Sequence, residues 1–283
     1  MKPIPRFLNK PKHFWASVRS LSQQVGYSKK GAIVIPTIEQ MAKAFEALGL
    51  DSRSLVVTGK PTKFANDLTD YFTERSHVLM NEVKPKLLNA EQAKALFEET
   101  KADFPHTCPI PMNKQKGDKR AAAFLTALVN MMVERHIGNL PCDYDPRELT
   151  TITKDGVPLR TLARRLDGAF PSTVNPIAVW EIKEYYYTTT FGSRVSGGVY
   201  ETLLDGMEIE ELSEYEGVGV KHYLIADAYL TWWTMGKPYL CRMFDSLHMG
   251  YADEILFGRE VVEEMPRIVE EWVELYKQRQ LAT

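Results

Sequence analysis

The run Asn175-Pro-Ile-Ala-Val-Trp-Glu-Ile-Lys183 constrains this chain more than any other segment. It is apolar until it ends in Glu-x-Lys, and Leu166-Asp167-Gly168 lies a short gap upstream. Strand side chains alternate faces, so Glu181 and Lys183 emerge on one side and Ile182 on the other. With Asp167 on a neighbouring strand, two carboxylates and one ammonium converge on one point. Hard oxygen donors of this kind suit Mg²⁺ or Mn²⁺. The ammonium is placed to orient a water or to stabilise charge on a phosphate under attack. The plainer alternative makes Asp167-Gly168 a turn and Glu181/Lys183 the wet end of a buried strand. The site reading is preferred because burying three polar groups without partners is unfavourable.

At Asp167 and Glu181-Ile182-Lys183 the chain resembles the PD-(D/E)xK nuclease superfamily, over about residues 118–240. Residues 164–166 are Arg-Arg-Leu, where the superfamily often has a proline before the first acid. The resemblance implies a restriction-endonuclease-like core, a central mixed sheet flanked by helices. It implies that Asp167 and Glu181 hold Mg²⁺ (or Mn²⁺), that Lys183 serves the attacking water, and that the products carry 5′-phosphates. It casts Glu134, on a helix before the first catalytic strand, as a possible further acid, against its plainer reading as a surface residue beside Arg135. Duplex cutting needs two active sites, so a homodimer is expected, with the acidic C-terminal helix or segment 229–240 at the contact.

The length of 283 residues allows one large domain or a core with an appended module, and a formal net charge of -2 excludes a generally basic polyanion binder. The distribution of charge is more informative. Residues 1–38 hold seven Lys/Arg and no acid, whereas residues 201–217 hold seven acids and no Lys or Arg. One end is thus expected to face phosphates and the other not. Three scattered cysteines give no C-x-x-C pair and fit a reducing compartment. Without a signal-like or membrane-spanning apolar run, a soluble cytoplasmic protein is expected.

The chain divides at the Pro-rich stretch 104–117 into a mainly helical N-terminal region, 1–110, and an α/β core, 111–283. In the first region the apolar residues predict a helix over His13–Val25. Thr37 and Gln40 form a capping-box pattern for a second helix. Lys10, Lys12, Arg19, Lys29 and Lys30 make this region a candidate DNA-reading module, or simply a helical cap with a wet basic edge. Gly59-Lys60-Pro61-Thr62 lacks the glycines and order of a phosphate loop. Asp118 is expected to cap an apolar helix over 119–136. Asp155-Gly156 predicts a hairpin. Ile177–Thr190 reads as a long central strand, Phe191–Gly198 as a flexible loop, and 199–212 as a helix. His222–Tyr229 reads as a further strand, with His222 more simply a core residue than a base. Ser193 and Arg194 are candidates for contacting the phosphate at the cut, as are Arg164 and Arg165.

Three classes therefore fit: a metal-dependent DNA endonuclease of restriction or phage-defence type, a non-catalytic DNA-binding protein on a nuclease-like fold, and an interaction protein without nucleic acid. Metal dependence separates the first from the others.

Overall fold

The computed structural model describes residues 1–113 and 121–281. Helix α1 (Lys12–Val25) forms because Phe14, Trp15, Val18 and Leu21 recur at helical spacing, and all four are buried. Gly26, at φ +85°, ends it. A two-residue turn at Lys30 and Gly31, both at positive φ, reverses the chain. Helix α2 (Ile38–Ala47) opens on the expected capping box: the Gln40 amide N–H donates to Thr37 Oγ1 (3.2 Å), and the Thr37 N–H donates to Gln40 Oε1 (2.9 Å). In Gly59-Lys60-Pro61-Thr62, Gly59 closes a hairpin turn, Lys60-Pro61 is its second strand, and Thr62 is the N-cap of α3 (Lys63–Val78). Helix α4 (Ala90–Asp103) closes the region.

Helix α5 (Phe124–Ile137) is apolar on nearly every face and almost wholly buried. It starts later than its composition suggests. Ala121–Ala123 instead pair back on Pro111–Asn113, with Asn113 N–H donating to Ala121 O and Ala123 N–H to Pro111 O, both at 2.8 Å. Asp118, expected as its cap, lies outside the described residues. Asp155 and Gly156 form the predicted hairpin turn between Thr151–Lys154 and Val157–Thr161.

A small mixed sheet organises the rest: β1 (Gly168–Phe170), β2 (Ala178–Glu184), β3 (Lys221–Asp227) and β4 (Glu254–Phe257). The order is β4-β3-β2-β1, with β1 antiparallel to β2 and the others parallel. Helix α6 (Ser193–Glu216) carries the chain from β2 to β3, and α7 (Lys237–His248) from β3 to β4. Helix α8 (Glu260–Leu281) returns over the sheet and stacks Trp272 on Trp180 of β2, centroids 5.3 Å apart and 12° from parallel. Alternation along β2 then decides the layers. Trp180 faces α8, while Val179 faces Ile209 and Leu212 of α6 in a smaller cluster. The main apolar core runs from Phe7 to Trp272, across both sides of the Pro-rich stretch. The protein is thus a mixed α/β fold. Among the described residues no helix is long and apolar enough to cross a membrane.

Two local expectations are corrected, and one alternative is set aside. The strand from Ile177 ends at Glu184, not Thr190, because the next residues turn into the core: the Tyr186 hydroxyl donates to Asp227 Oδ2 at 2.6 Å. Phe191–Gly198 is not a loop, since α6 begins at Ser193. Asp167-Gly168 is not a turn either. Gly168 opens β1 directly opposite Trp180, and a Cβ there would lie 1.9 Å from the indole ring. The missing side chain makes room for the tryptophan.

Candidate active site

Pairing sets the site. β1 and β2 run in register from Gly168 opposite Trp180, so the chain reaches Asp167 just as the β1 ladder ends. Beyond that point the Ile182 N–H has no strand partner, and it donates to Asp167 Oδ2 at 2.7 Å. The carboxylate therefore stands beside Glu181 and Lys183, which share the face of β2 under α6. Glu181 and Lys183 are 2% and 6% exposed. The three residues border one cleft of about 420 Å³, with Ser193, Arg194, Gly197 and Glu201 from the first turns of α6.

Two acids from the stretch read as facing away from phosphate reach the basic groups of the site, Glu201 from an exposed position and Asp205 from a buried one. Lys183 donates to Glu181 and, at 3.0 Å, to Glu201 Oε2. Arg164 forks onto Glu181, Nη2 to Oε1 at 2.8 Å and Nη1 to Oε2 at 3.0 Å, and its Nη1 also reaches Asp205 Oδ2 at 2.7 Å. Asp205 is fully buried, and its Oδ1 has no hydrogen-bond partner among the described residues. The i, i+4 spacing of Glu201 and Asp205 was the available signal; which helical face meets the sheet was not readable from it. Glu208 and Glu211, further along α6, pair with Arg160.

Burial, and then the charge of Glu181, push Asp167 up to about 7 despite the Ile182 bond. Burial pushes Asp205 up to about 7 as well, outweighing the attraction of Arg164. Burial opposes the charge on Lys183, but Glu181 and Glu201 more than offset it, and the ammonium titrates above its ordinary value. Lys183 is therefore a cation, suited to orienting and stabilising rather than to removing a proton.

The Asp205 shift carries a sign. Between its unfolded value near ~3.9 and about 7, the folded state keeps a proton that the unfolded chain has lost. Stability contributed by this group therefore falls as pH rises through that window. Thermal melts of Asp205→Asn, which mimics the protonated form, should lose less stability from pH 5 to pH 8 than wild type. Parallel curves would refute the assignment.

Gly198 of α6 marks a close approach. A Cβ there would lie 2.9 Å from Lys183 Cε and 3.1 Å from Tyr185 Oη. Because the contact is with a side-chain end, Gly198→Ala should displace the ammonium more than it weakens the fold. Melting should change little while any activity that depends on Lys183 drops severalfold. A matched loss of both would make Gly198 purely structural.

Other sequence candidates lie elsewhere. Glu134 does not border the cleft: it accepts from the Thr107 N–H (2.9 and 3.0 Å) and hydroxyl, fixing the segment before α5. Glu184, which strand alternation put on the opposite face and out of the candidate set, does border the cleft, and receives the Thr126 N–H (3.2 Å) at the start of α5. Lys10 pairs with Asp67 at 2.9 Å; Lys12, Lys29 and Lys30 are exposed, and none of these borders the cleft. Arg19 lines a separate cavity. His222 is buried, its Nδ1 2.8 Å from Tyr251 O, and burial lowers its pKa. Trp232 and Trp233 are buried and offer no stacking surface.

The described residues thus define an α/β protein with a carboxylate–lysine–arginine cleft at one edge of its sheet. The chain belongs to the DUF7687 family, a domain of unknown function, which matches residues 88–272. Residues 1–82 match a second domain of unknown function, DUF7690. No curated protein and no solved structure matches the chain.

Proposed function

We propose that this chain is a divalent-metal-dependent DNA endonuclease of restriction or phage-defence type, built on a restriction-endonuclease-like core. The observation that carries the reading is the convergence of Asp167, Glu181 and Lys183 in one cleft, from the end of one strand and the face of its neighbour.

The donor set suits the cation. Asp167 and Glu181 are hard oxygen donors, and Mg²⁺ is commonly bound through one or two carboxylates plus waters and substrate phosphate, not by a complete protein cage. Among the described residues no group of three His, Cys, Asp or Glu side chains is placed to hold a metal ion. A bound Mg²⁺ or Mn²⁺ would polarise the phosphate and make its water a stronger nucleophile at neutral pH. The chain's own residues do the rest. Asp167 and Glu181 would hold the cation. Lys183 stabilises negative charge that builds on the phosphate. Arg194 and Ser193 stand at the N-terminus of α6, where the helix dipole favours an anion, and would contact the neighbouring phosphate. The products would be 5′-phosphate ends, and a homodimer would serve duplex substrates. The apolar face of α8 is buried within the chain.

One observation favours the second reading, a DNA-binding protein without catalysis: Arg164 and Lys183 together engage both oxygens of Glu181. Incubation of plasmid and phage DNA with the protein, with and without Mg²⁺ or Mn²⁺, separates the two. Metal-dependent fragments are expected. Salt-sensitive binding with no cutting in either metal, retained in Asp167→Ala, would select the second reading.

A further inference from the structure

We propose that the cleft between α1, α6 and α7 binds a nucleoside phosphate. It measures about 480 Å³, within the roughly 300–1,000 Å³ of small-molecule sites. Arg19, Gln23 and Gln24 of α1 line it, with Tyr27 just beyond that helix, Tyr200 of α6 and Arg242 of α7.

Arg19 and Arg242 both line it, and neither forms an ion pair among the described residues. Arg242 is half-buried, and its central carbon lies 4.5 Å from the Tyr27 ring centre and 4.6 Å from that of Tyr239. Such contacts engage the face of the cation and leave its N–H edge for an acceptor. Among the described residues no carboxylate lies within ion-pair distance of Arg242 or Arg19. Asp245, on the cavity wall, is taken by Arg75 at 3.0 Å and by the Tyr71 hydroxyl at 2.6 Å. Among the described residues Arg19 donates to Met249 Sδ alone, at 3.3 Å. A guanidinium held in a fixed plane with a free edge fits a phosphate bidentately.

The remaining walls extend the match beyond the oxyanion. Gln23 and Gln24 each carry an amide donor and an acceptor, the complement of a base edge. Tyr200 is 49% exposed and offers a ring face for stacking. An oxyanion receptor, an amide edge and an aromatic face in one cavity describe a nucleoside phosphate better than a simple anion. Residues 1–82 and 88–272 both contribute to the walls, so the ligand would bridge the two matched segments.

Binding is measured on the whole chain by equilibrium dialysis, without divalent metal, using AMP, GMP, CMP, UMP and inorganic phosphate separately. At least one nucleotide should bind about tenfold or more tightly than phosphate. Arg242→Gln should weaken that binding by a similar factor, and Tyr200→Ala should weaken the nucleotide while leaving phosphate unchanged. Arg19 is exposed, so Arg19→Gln keeps the test valid if Arg242→Gln fails to fold; it too should weaken binding. No binding by wild type, equal affinity for phosphate and all four nucleotides, or unchanged affinity in both folded arginine variants overturns the proposal. The readout involves no DNA cleavage, so its result is independent of the nuclease reading.

Discussion

Lys183→Ala should reduce metal-dependent DNA cleavage by at least about 10²-fold, the scale on which a positioned electrostatic stabiliser acts. The fold should survive. Removing Lys183 leaves Glu181 still forked by Arg164 (2.8 and 3.0 Å), so no buried carboxylate is stranded. Asp167 needs a gentler change, because it accepts the Ile182 N–H. Asp167→Asn can keep that bond through its amide oxygen while losing the charge, and it should lose cleavage to a similar degree with melting nearly unchanged. Discrete fragments from wild type, absent in both variants, would locate chemistry at this cleft. Equal cutting by all three proteins would remove it from there.

The second large effect concerns stability. Arg75 of α3 is 1% exposed and meets Asp245 of α7, itself buried, with Nη1 3.0 and 3.3 Å from the two carboxylate oxygens. Ser22 and the rings of Tyr27, Tyr71 and Phe72 also lie against it. Removing one partner of a buried ion pair costs about 3–5 kcal/mol, mostly because the other charge is left stranded. Arg75→Met should lower the free energy of unfolding by that amount in urea titration. Adding Asp245→Asn, which still accepts from Tyr71 but carries no charge, should recover a large part. If the two losses simply add, the stranded-charge explanation fails. Arg75 lies in the segment matching DUF7690 and Asp245 in that matching DUF7687. The pair is therefore one of the links between them, and its loss should disturb both.

Much of the local architecture was legible because its causes are local. Thr37 and Gln40 specify a helix start by bonding each other's backbone. Asp155-Gly156 reverses a hairpin because both residues adopt positive φ. Glu181 and Lys183 share a face because strand geometry gives no other choice. Elsewhere the same local rules pointed the wrong way. The β-branched and aromatic residues after Glu184 read as more strand, yet Tyr186 leaves the sheet to reach Asp227, a partner 41 positions away. Phe191–Gly198 read as a flexible loop, but the helix begins at Ser193 and Gly198 is a contact surface for the Lys183 stem.

Local sequence was enough to put a Glu-x-Lys pair at the end of an apolar strand, with an acid upstream and helices around them. What those groups meet was set by packing between distant segments. Whether an acid on α6 faces water or Arg164 depends on the rotation of that helix over the sheet, set by the packing of Ile209 and Leu212 on Val179. The identity of the acid does not settle it. Glu208 and Glu211 pair with Arg160 near the surface, whereas Asp205 is fully buried against Arg164. Periodicity places side chains on a face; long-range packing chooses which face becomes the site.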